Sequence, residues 1–295
     1  MRLGQKIQEV PRGLTSDGQG GHVASRLAPE RVVATESRET RSRILAWGGL
    51  FNARDLGGLP IANGGRTRWG ALVRSDLLSR LTPAGQAALM DHGIRTLVDV
   101  RFPDEVALDW DSYPFQGRAA ASDVPQYLNV PFNTGRDPDR QAEITAAYQA
   151  AASREELNRL DLDLNQRGAA AIATLIARAP GGGVLVHCHA GKDRTGTIVA
   201  LLLSLVGVPD EPIADDYALT AIYLAPLIVE WLDSMSTEPA ERARLEELAR
   251  PTREAMLDTL AHLRRRHGGA EAYLVEGGVT PRDIERLHDR LVEHS

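Results

Sequence analysis

The chain carries a single cysteine, Cys188, in 295 residues. A lone thiol cannot close an internal disulfide, which excludes the small secreted scaffolds and leaves either an inert buried thiol or a reactive one. Positive charge is also short: 34 Lys plus Arg against 40 Asp plus Glu give a formal net charge of −6. That balance argues against a broad nucleic-acid footprint, since phosphate backbones attract basic surfaces, although a local basic pocket remains compatible with it. No run approaches the roughly 20 apolar residues that a membrane-spanning helix needs. Basic residues stand near the start, at Arg2 and Lys6, but "GLTSDGQGGHVASRLAPER" follows where a secretory signal would carry an apolar stretch. The expectation is a cytoplasmic chain with no integral membrane segment and no nucleic-acid partner; export without a signal peptide stays open.

The hydrophobic share of 43% and charged share of 25% are ordinary for a globular protein, and the length suits one large α/β domain. Residues 1–43 are rich in Gly, Ser, Arg and Glu without sustained periodicity and read as a disordered tail, with the domain expected over 44–295. From Ile44 to Thr82, short apolar clusters separated by Gly and Asn turns read as short strands and loops. Helix punctuation follows: Thr82 as N-cap, Pro83 at the first helical position and Gly93 as a left-handed stop. Strands are expected at Thr96–Val100, Tyr127–Phe132 and Val184–Val186. The first reads as buried on both faces, because its apolar run is continuous. The Ala- and Leu-rich stretch from Glu143 to Ala179 reads as two helices ending before Pro180. A buried helix is expected from Arg194 until Gly207 and Pro209 stop it. At the far end Thr280, Pro281 and Asp283 form a capping signal, with Ile284, Leu287 and Leu291 on one face. Strands alternating with helices imply an α/β fold with a small, mostly parallel central sheet flanked by helices, and a helix-rich C-terminal half.

The lone cysteine stands in "VLVHCHAGKDRTGTIVALLLSLVGV". A buried strand, a tight loop over residues 187–194 and a helix start form a geometry in which backbone N–H groups and a helix N-terminus converge on an anion, with phosphate the obvious guest. Gly191 and Gly196 let backbone approach a ligand, and Arg194 supplies a donor fork that matches two phosphate oxygens. Positive charge around Cys188 favours the thiolate, the form that attacks phosphorus. Asp193 is close enough to protonate the departing oxygen, and Thr195 can hydrogen-bond the sulfur as it leaves. The amides of His189, Ala190, Gly191, Lys192, Asp193 and Arg194 would form a ring of donors for the three equatorial oxygens in the transition state. A Walker A loop is excluded, since Val186 and Asp193 stand where that motif needs Gly and Ser/Thr. Adjacent His187, Cys188 and His189 alternate in direction and do not resemble a zinc-ligand set, so neither metal nor other cofactor is expected. The bland alternative, a structural thiol, is opposed by Lys192, Asp193 and Arg194, an odd filling for an apolar core.

These residues resemble the Cys-based protein tyrosine phosphatases, whose loop reads His-Cys-x5-Arg-Ser/Thr. "HCHAGKDRTG" is similar to the bacterial group with an HCxAGKDRTG loop. "FNARDLGGLP", "LVRSDLLSRLT", "LVDVRFPDEV" and "DDYALT" resemble further segments of that group in order and spacing, from about residue 44 onward. The resemblance implies a tyrosine-phosphatase-like fold and hydrolysis of phosphotyrosine in proteins, with phosphoserine and phosphothreonine as further substrates in view. It implies Cys188 as nucleophile, Arg194 as transition-state clamp, His187 and Thr195 as supports of the thiolate, and Asp193 as general acid. Asp137 and Asp139, in an upstream loop, are the alternative acids. Arg54, Asp55, Arg74, Asp76, Asp99 and Arg101 are expected to buttress the loop as an ion-pair network. Lys192 is either a second cation for substrates with extra charge, which would admit phosphoinositides, or a solvated side chain. Ala53 departs from the Phe usual in the group, so no pocket wall is assigned there. The apolar positions Ile222, Leu224, Leu227, Ile228 and Trp231 are expected to pack rather than to form a mobile lid. A phosphoester-binding module without turnover and a thiol sulfurtransferase are the rival functions; the presence of Cys188, Arg194 and Thr195 together speaks against the first, and the Thr-Gly after Arg194 against the second.

Overall fold

The computed structural model describes residues 41–115, 124–133, 138–234 and 238–293. The expected tail therefore lies outside the described residues except for its last three. Five strands form one sheet: β1 Arg54–Asp55, β2 Leu72–Ser75, β3 Ile94–Asp99, β4 Gln126–Asn129 and β5 Gly183–His187, in spatial order β1-β2-β5-β3-β4. Only β1 runs antiparallel to its neighbour. The central strand, β5, shows why its sequence is an unbroken apolar run: Val184 and Val186 join the core on one face with Leu72, Val98 and Ile198. Leu185 points the other way, into a second core with Trp47, Val73 and Leu97. This alternation delivers Cys188, the next residue after β5, to the carboxyl edge of the parallel strands, where α/β sheets place their ligands.

Ten α-helices are described: α1 Pro83–Asp91, α2 Pro103–Ala107, α3 Pro138–Ala150, α4 Arg154–Arg178, α5 Asp193–Leu205, α6 Asp210–Ser234, α7 Pro239–Ala249, α8 Arg253–His267, α9 Ala270–Glu276 and α10 Pro281–Leu291. The caps read from the sequence form as expected. Thr82 accepts from Gly85 N at 3.1 Å, and Gly93 takes a left-handed φ of 87°. Thr280 accepts from Asp283 N, and its own hydroxyl donates back to the Asp283 carboxylate at 2.7 Å. Ile284, Leu287 and Leu291 are buried on the inner face of α10. The helices α4 to α6 and α8 to α10 cover the larger core, whereas Leu78, Leu89 and Tyr113 cover the smaller one.

The helix α6 corrects one expectation. By length and composition it could cross a membrane, although its sequence carries no long uninterrupted apolar run. In the fold, Tyr217, Leu224, Leu227 and Trp231 are packed against protein, and its buried Asp216 is ion-paired with Arg54 and Arg74 inside the protein and with Arg43 at its edge. Ile228 is partly buried beside Trp231. Ile222, expected in the packed stripe, is instead 68% exposed, because it lies on the opposite side of the helix from Leu224 and Leu227.

Candidate active site

Cys188 is buried at the end of β5, and the loop after it turns sharply at Gly191, whose φ is 63°. A side chain there would be strained by that conformation and would collide with the Ser75 carbonyl of β2. The loop carbonyls are pinned from outside. Asn52 Nδ2 donates to Ala190 O and Gly191 O, both at 3.1 Å, and Arg74 donates to Gly191 O at 2.6 Å. In a trans peptide the C=O and the following N–H point in opposite directions, so these bonds turn the amides of Gly191 and Lys192 toward the concave side. Gly196 lies at the first turn of α5 against α6; a Cβ there would stand 2.9 Å from the Tyr217 ring.

Asp216 of α6 organises the arginines behind the loop. It accepts from Arg54 Nε at 3.0 Å and from Arg74 at 2.7 Å, with Arg43 at 3.5 Å on the outside. Arg54 also donates to Thr220 and to the Asn52 side chain. Asp76 accepts from the backbone N–H groups of Phe51 and Asn52, which fixes the segment carrying Asn52. Burial raises the Asp76 carboxyl, partly offset by those same N–H groups. Burial would raise Asp216 as well, yet Arg54 and Arg74 hold it below the usual carboxylate range. A carboxyl depressed in the folded state contributes stability above its unfolded pKa and loses it as pH falls toward the folded value. Asp216→Asn leaves two buried guanidinium groups uncompensated and is expected to cost about 3–5 kcal/mol at neutral pH. Urea unfolding reads this directly, and the gap from the parent should narrow in acid. A loss below about 1 kcal/mol would mean that the cluster is not a stabilising unit.

On the other side of β5 lies a second group. Arg101 forks onto Asp99 at 2.7 Å and reaches Asp109 at 3.0 Å. Burial lowers the pKa of His187, against the opposing pull of Asp99. A neutral imidazole has one N–H, and the Cys188 carbonyl, 3.0 Å from Nδ1, can only accept. Nδ1 therefore donates to it, and Nε2 accepts from the Tyr113 hydroxyl at 2.8 Å. Asp55 is not part of either group: its carboxylate accepts from Gly57 N, Gly70 N and His92. It fixes a turn at the opposite edge of the sheet.

Five side chains after the cysteine complete the cradle. Arg194 is held by Glu105 of α2 through two parallel bonds of 2.6 and 2.8 Å. Burial opposes its charge, but Glu105 holds its pKa above the ordinary range. The same Glu105 carboxylate accepts from Phe102 N at 2.9 Å. Asp193, the first residue of α5, accepts from Arg154 of α4 at 2.9 Å and lies 3.5 Å from Lys192 Nζ. Burial would raise its pKa, yet Arg154 and Lys192 lower it. Lys192 is neither solvated nor free: it is 4% exposed, and Nζ donates to the Ala249 carbonyl at 2.8 Å. Burial pulls its pKa down to about 8. His189 forms the partly exposed rim with Ala190, and burial of its ring lowers its pKa to about 4. Thr195 is fully buried, and among the described residues its hydroxyl has no hydrogen-bond partner. An unmet buried hydroxyl costs about 1–3 kcal/mol, which fits a group placed to donate to a charged thiolate.

The structure thus gathers Cys188, His189, Ala190, Gly191, Lys192, Asp193, Arg194 and Thr195 into one loop, with Arg54, Arg74, Asp76, Asp99, Arg101 and His187 around it. Asp137 and the side chain of Asp139 lie outside the described residues. Sequence reasoning missed Asn52, Glu105, Arg154 and Asp216. Three of these four stand inside or beside segments already singled out, Asn52 in "FNARDLGGLP", Glu105 in "LVDVRFPDEV" and Asp216 in "DDYALT".

Residues 45–293 match a family model described as "Tyrosine phosphatase family". A "Tyrosine-protein phosphatase" of Nostoc commune is 32% identical over 226 residues, 75% of this chain and 74% of the relative. The "Triple specificity protein phosphatase PtpB" of Mycobacterium tuberculosis is 32% identical over 220 residues, 68% of this chain and 72% of the relative.

Proposed function

The chain belongs to the tyrosine phosphatase family, and from that premise we propose that it hydrolyses phosphotyrosine in proteins through a phosphocysteine formed on Cys188, without a metal. The observation that carries the reading is the loop itself: a buried thiol at a helix start, amides turned inward by Asn52 and Arg74, and a guanidinium already aligned by Glu105. Cys188 Sγ attacks phosphorus in line with the tyrosine oxygen. The S–P bond forms as the P–O bond to the substrate breaks. Asp193 delivers its proton to the leaving phenolic oxygen, and Arg194 with the loop amides takes up the charge on the three equatorial oxygens. Water then attacks the phosphocysteine, giving its proton to Asp193 and returning the thiolate, which the Thr195 hydroxyl receives. The unpaired thiol suits a reducing compartment such as the cytoplasm.

Mass analysis of protein denatured during turnover tests the route. One phosphoryl group is expected on the peptide that contains Cys188, at unchanged rate in EDTA. A phosphoryl group on His187 or His189, or turnover that stops in EDTA, would sink it. The relative named PtpB is credited with triple specificity. For this chain the phosphoinositide reading receives no support from Lys192, whose Nζ is engaged by Ala249 inside the protein.

The environment of Asp193 sets a pH signature. A general acid must be protonated, and Arg154 and Lys192 favour its ionised form in the free enzyme. The kcat/KM for a phosphotyrosine peptide is therefore expected to fall with rising pH from an acidic optimum, about tenfold per unit along this limb. Arg154→Met removes the first of those two charges and should move the limb to higher pH, whereas Asp193→Asn should flatten it and lower kcat by about 10²-fold or more. A limb that stays in place in Arg154→Met would take the proton-donor role away from Asp193.

A further inference from the structure

Away from the loop, one cluster has the composition and convergence of a metal site. Asp163 lies on α4, His262 on α8, and His267 is the last residue of α8. The Nε2 atoms of both histidines stand 2.9 Å from the same oxygen, Asp163 Oδ1. The three candidate ligand atoms all fall within 4.8 Å of one another. We propose that Asp163, His262 and His267 bind a divalent transition-metal ion of the zinc class, with the remaining coordination position open to water.

The geometry argues for a shared guest. A carboxylate offers two oxygens with about four lone-pair positions, so two independent imidazole donors have no need to meet on one atom. Two histidines five residues apart on a helix leave it about 140° apart, so helical spacing does not make them neighbours. They converge nonetheless, from either side of Asp163. Ligand atoms placed about 2.0–2.1 Å from a tetrahedral ion lie about 3.3 Å from one another, so an ion requires the two 2.9 Å contacts to open by a few tenths of an ångström and the two imidazole nitrogens, within 4.8 Å of each other, to stand at that same spacing. The His267 ring is held edge-on against Tyr273 at 5.0 Å between centroids. The helix ends directly after it, at Gly268 with φ 75°, so the His267 backbone is fixed as well. The side chains are 37%, 17% and 12% exposed for Asp163, His262 and His267, which leaves an entry path for an ion. Two imidazoles and one carboxylate suit zinc, cobalt or iron far better than magnesium or calcium, which prefer oxygen ligands alone.

The ion would join α4 to α8 across about a hundred residues of sequence, since the two contacts have separations of 99 and 104. Metal bound to the folded state alone raises stability as its concentration rises. No step of the phosphate chemistry passes through this site, and failure of one reading leaves the other standing.

Cobalt(II), whose visible absorption reports its ligands, is the probe. It is titrated into full-length Cys188→Ser, so that the loop thiol cannot compete for it. One equivalent is expected to bind with a visible band and to raise the thermal unfolding midpoint. His262→Gln and His267→Gln are each expected to weaken binding by more than about tenfold and to abolish the rise in midpoint. Asp163→Asn, which keeps the shape of the side chain, serves as the second variant should either histidine substitution disturb folding, as judged by circular dichroism without metal. Absence of a saturable band, or a band that the three substitutions leave unchanged, would mean that the cluster is held by hydrogen bonds alone and would overturn the proposal.

Discussion

Cys188→Ser is expected to lower kcat for a phosphotyrosine peptide by a factor on the order of 10⁴ to 10⁶, while binding of that peptide persists. The substitution changes one atom and leaves the buried shape nearly intact, so the effect lies in chemistry rather than in folding. A serine hydroxyl is neutral at working pH and needs a neighbouring base to become a nucleophile. The loop offers none in position. His187 is adjacent in sequence, but its Nδ1 is committed to the Cys188 carbonyl and its Nε2 to Tyr113. Asp193 is engaged by Arg154. The ring of amides and Arg194 remains, so the phosphate dianion still has its donors and calorimetry should record binding at least as tight as in the parent. Residual turnover within about tenfold of the parent would place the nucleophile elsewhere.

What could be read from the chain divides along a physical line. The strand–loop–helix around Cys188, the caps at Thr82 and Thr280 and the two-sided burial of β3 are local. Each depends on residues a few positions apart whose backbone preferences and periodicity agree, and each is present in the fold. Charge pairing was not legible in the same way. Asp216 reaches Arg54 across 162 positions, and Glu105 reaches Arg194 across 89. Such partners are chosen by how the sheet and helices stack, which no spacing rule encodes. Asp55 illustrates the reverse error. It neighbours Arg54 in sequence, but successive residues of a strand face opposite sides, so Arg54 enters the loop's support and Asp55 ties down Gly57, Gly70 and His92. Lys192 was open to reading as a solvated charge because sequence gives no burial for a loop lysine. Its place as N-cap of α5 beneath α7 decides it, and its ammonium meets the buried Ala249 carbonyl at the end of that helix.

Arg194→Lys is expected to lower kcat by about 10³-fold with a much smaller change in KM, although charge is conserved. The reason lies in the resting geometry. Glu105 receives two parallel bonds from Arg194, one on each carboxylate oxygen, and is itself fixed by Phe102 N at the start of α2. The plane of the guanidinium is therefore set before substrate arrives, and reorganisation is already complete when charge spreads over the equatorial oxygens. A lysine places a single point charge at the end of a flexible stem. It can satisfy one oxygen of Glu105 or one oxygen of the phosphoryl group, but it cannot hold a fork. Glu105→Gln keeps the shape and one acceptor oxygen while removing the negative charge, and should lose about 10-fold to 10²-fold through misorientation of Arg194. Because Glu105 acts through Arg194, the double variant should be little worse than Arg194→Lys alone, which a double-mutant cycle on kcat measures. Additive losses would mean that Glu105 contributes by another route, and a loss confined to KM would mean that Arg194 binds the ground state and the transition state equally.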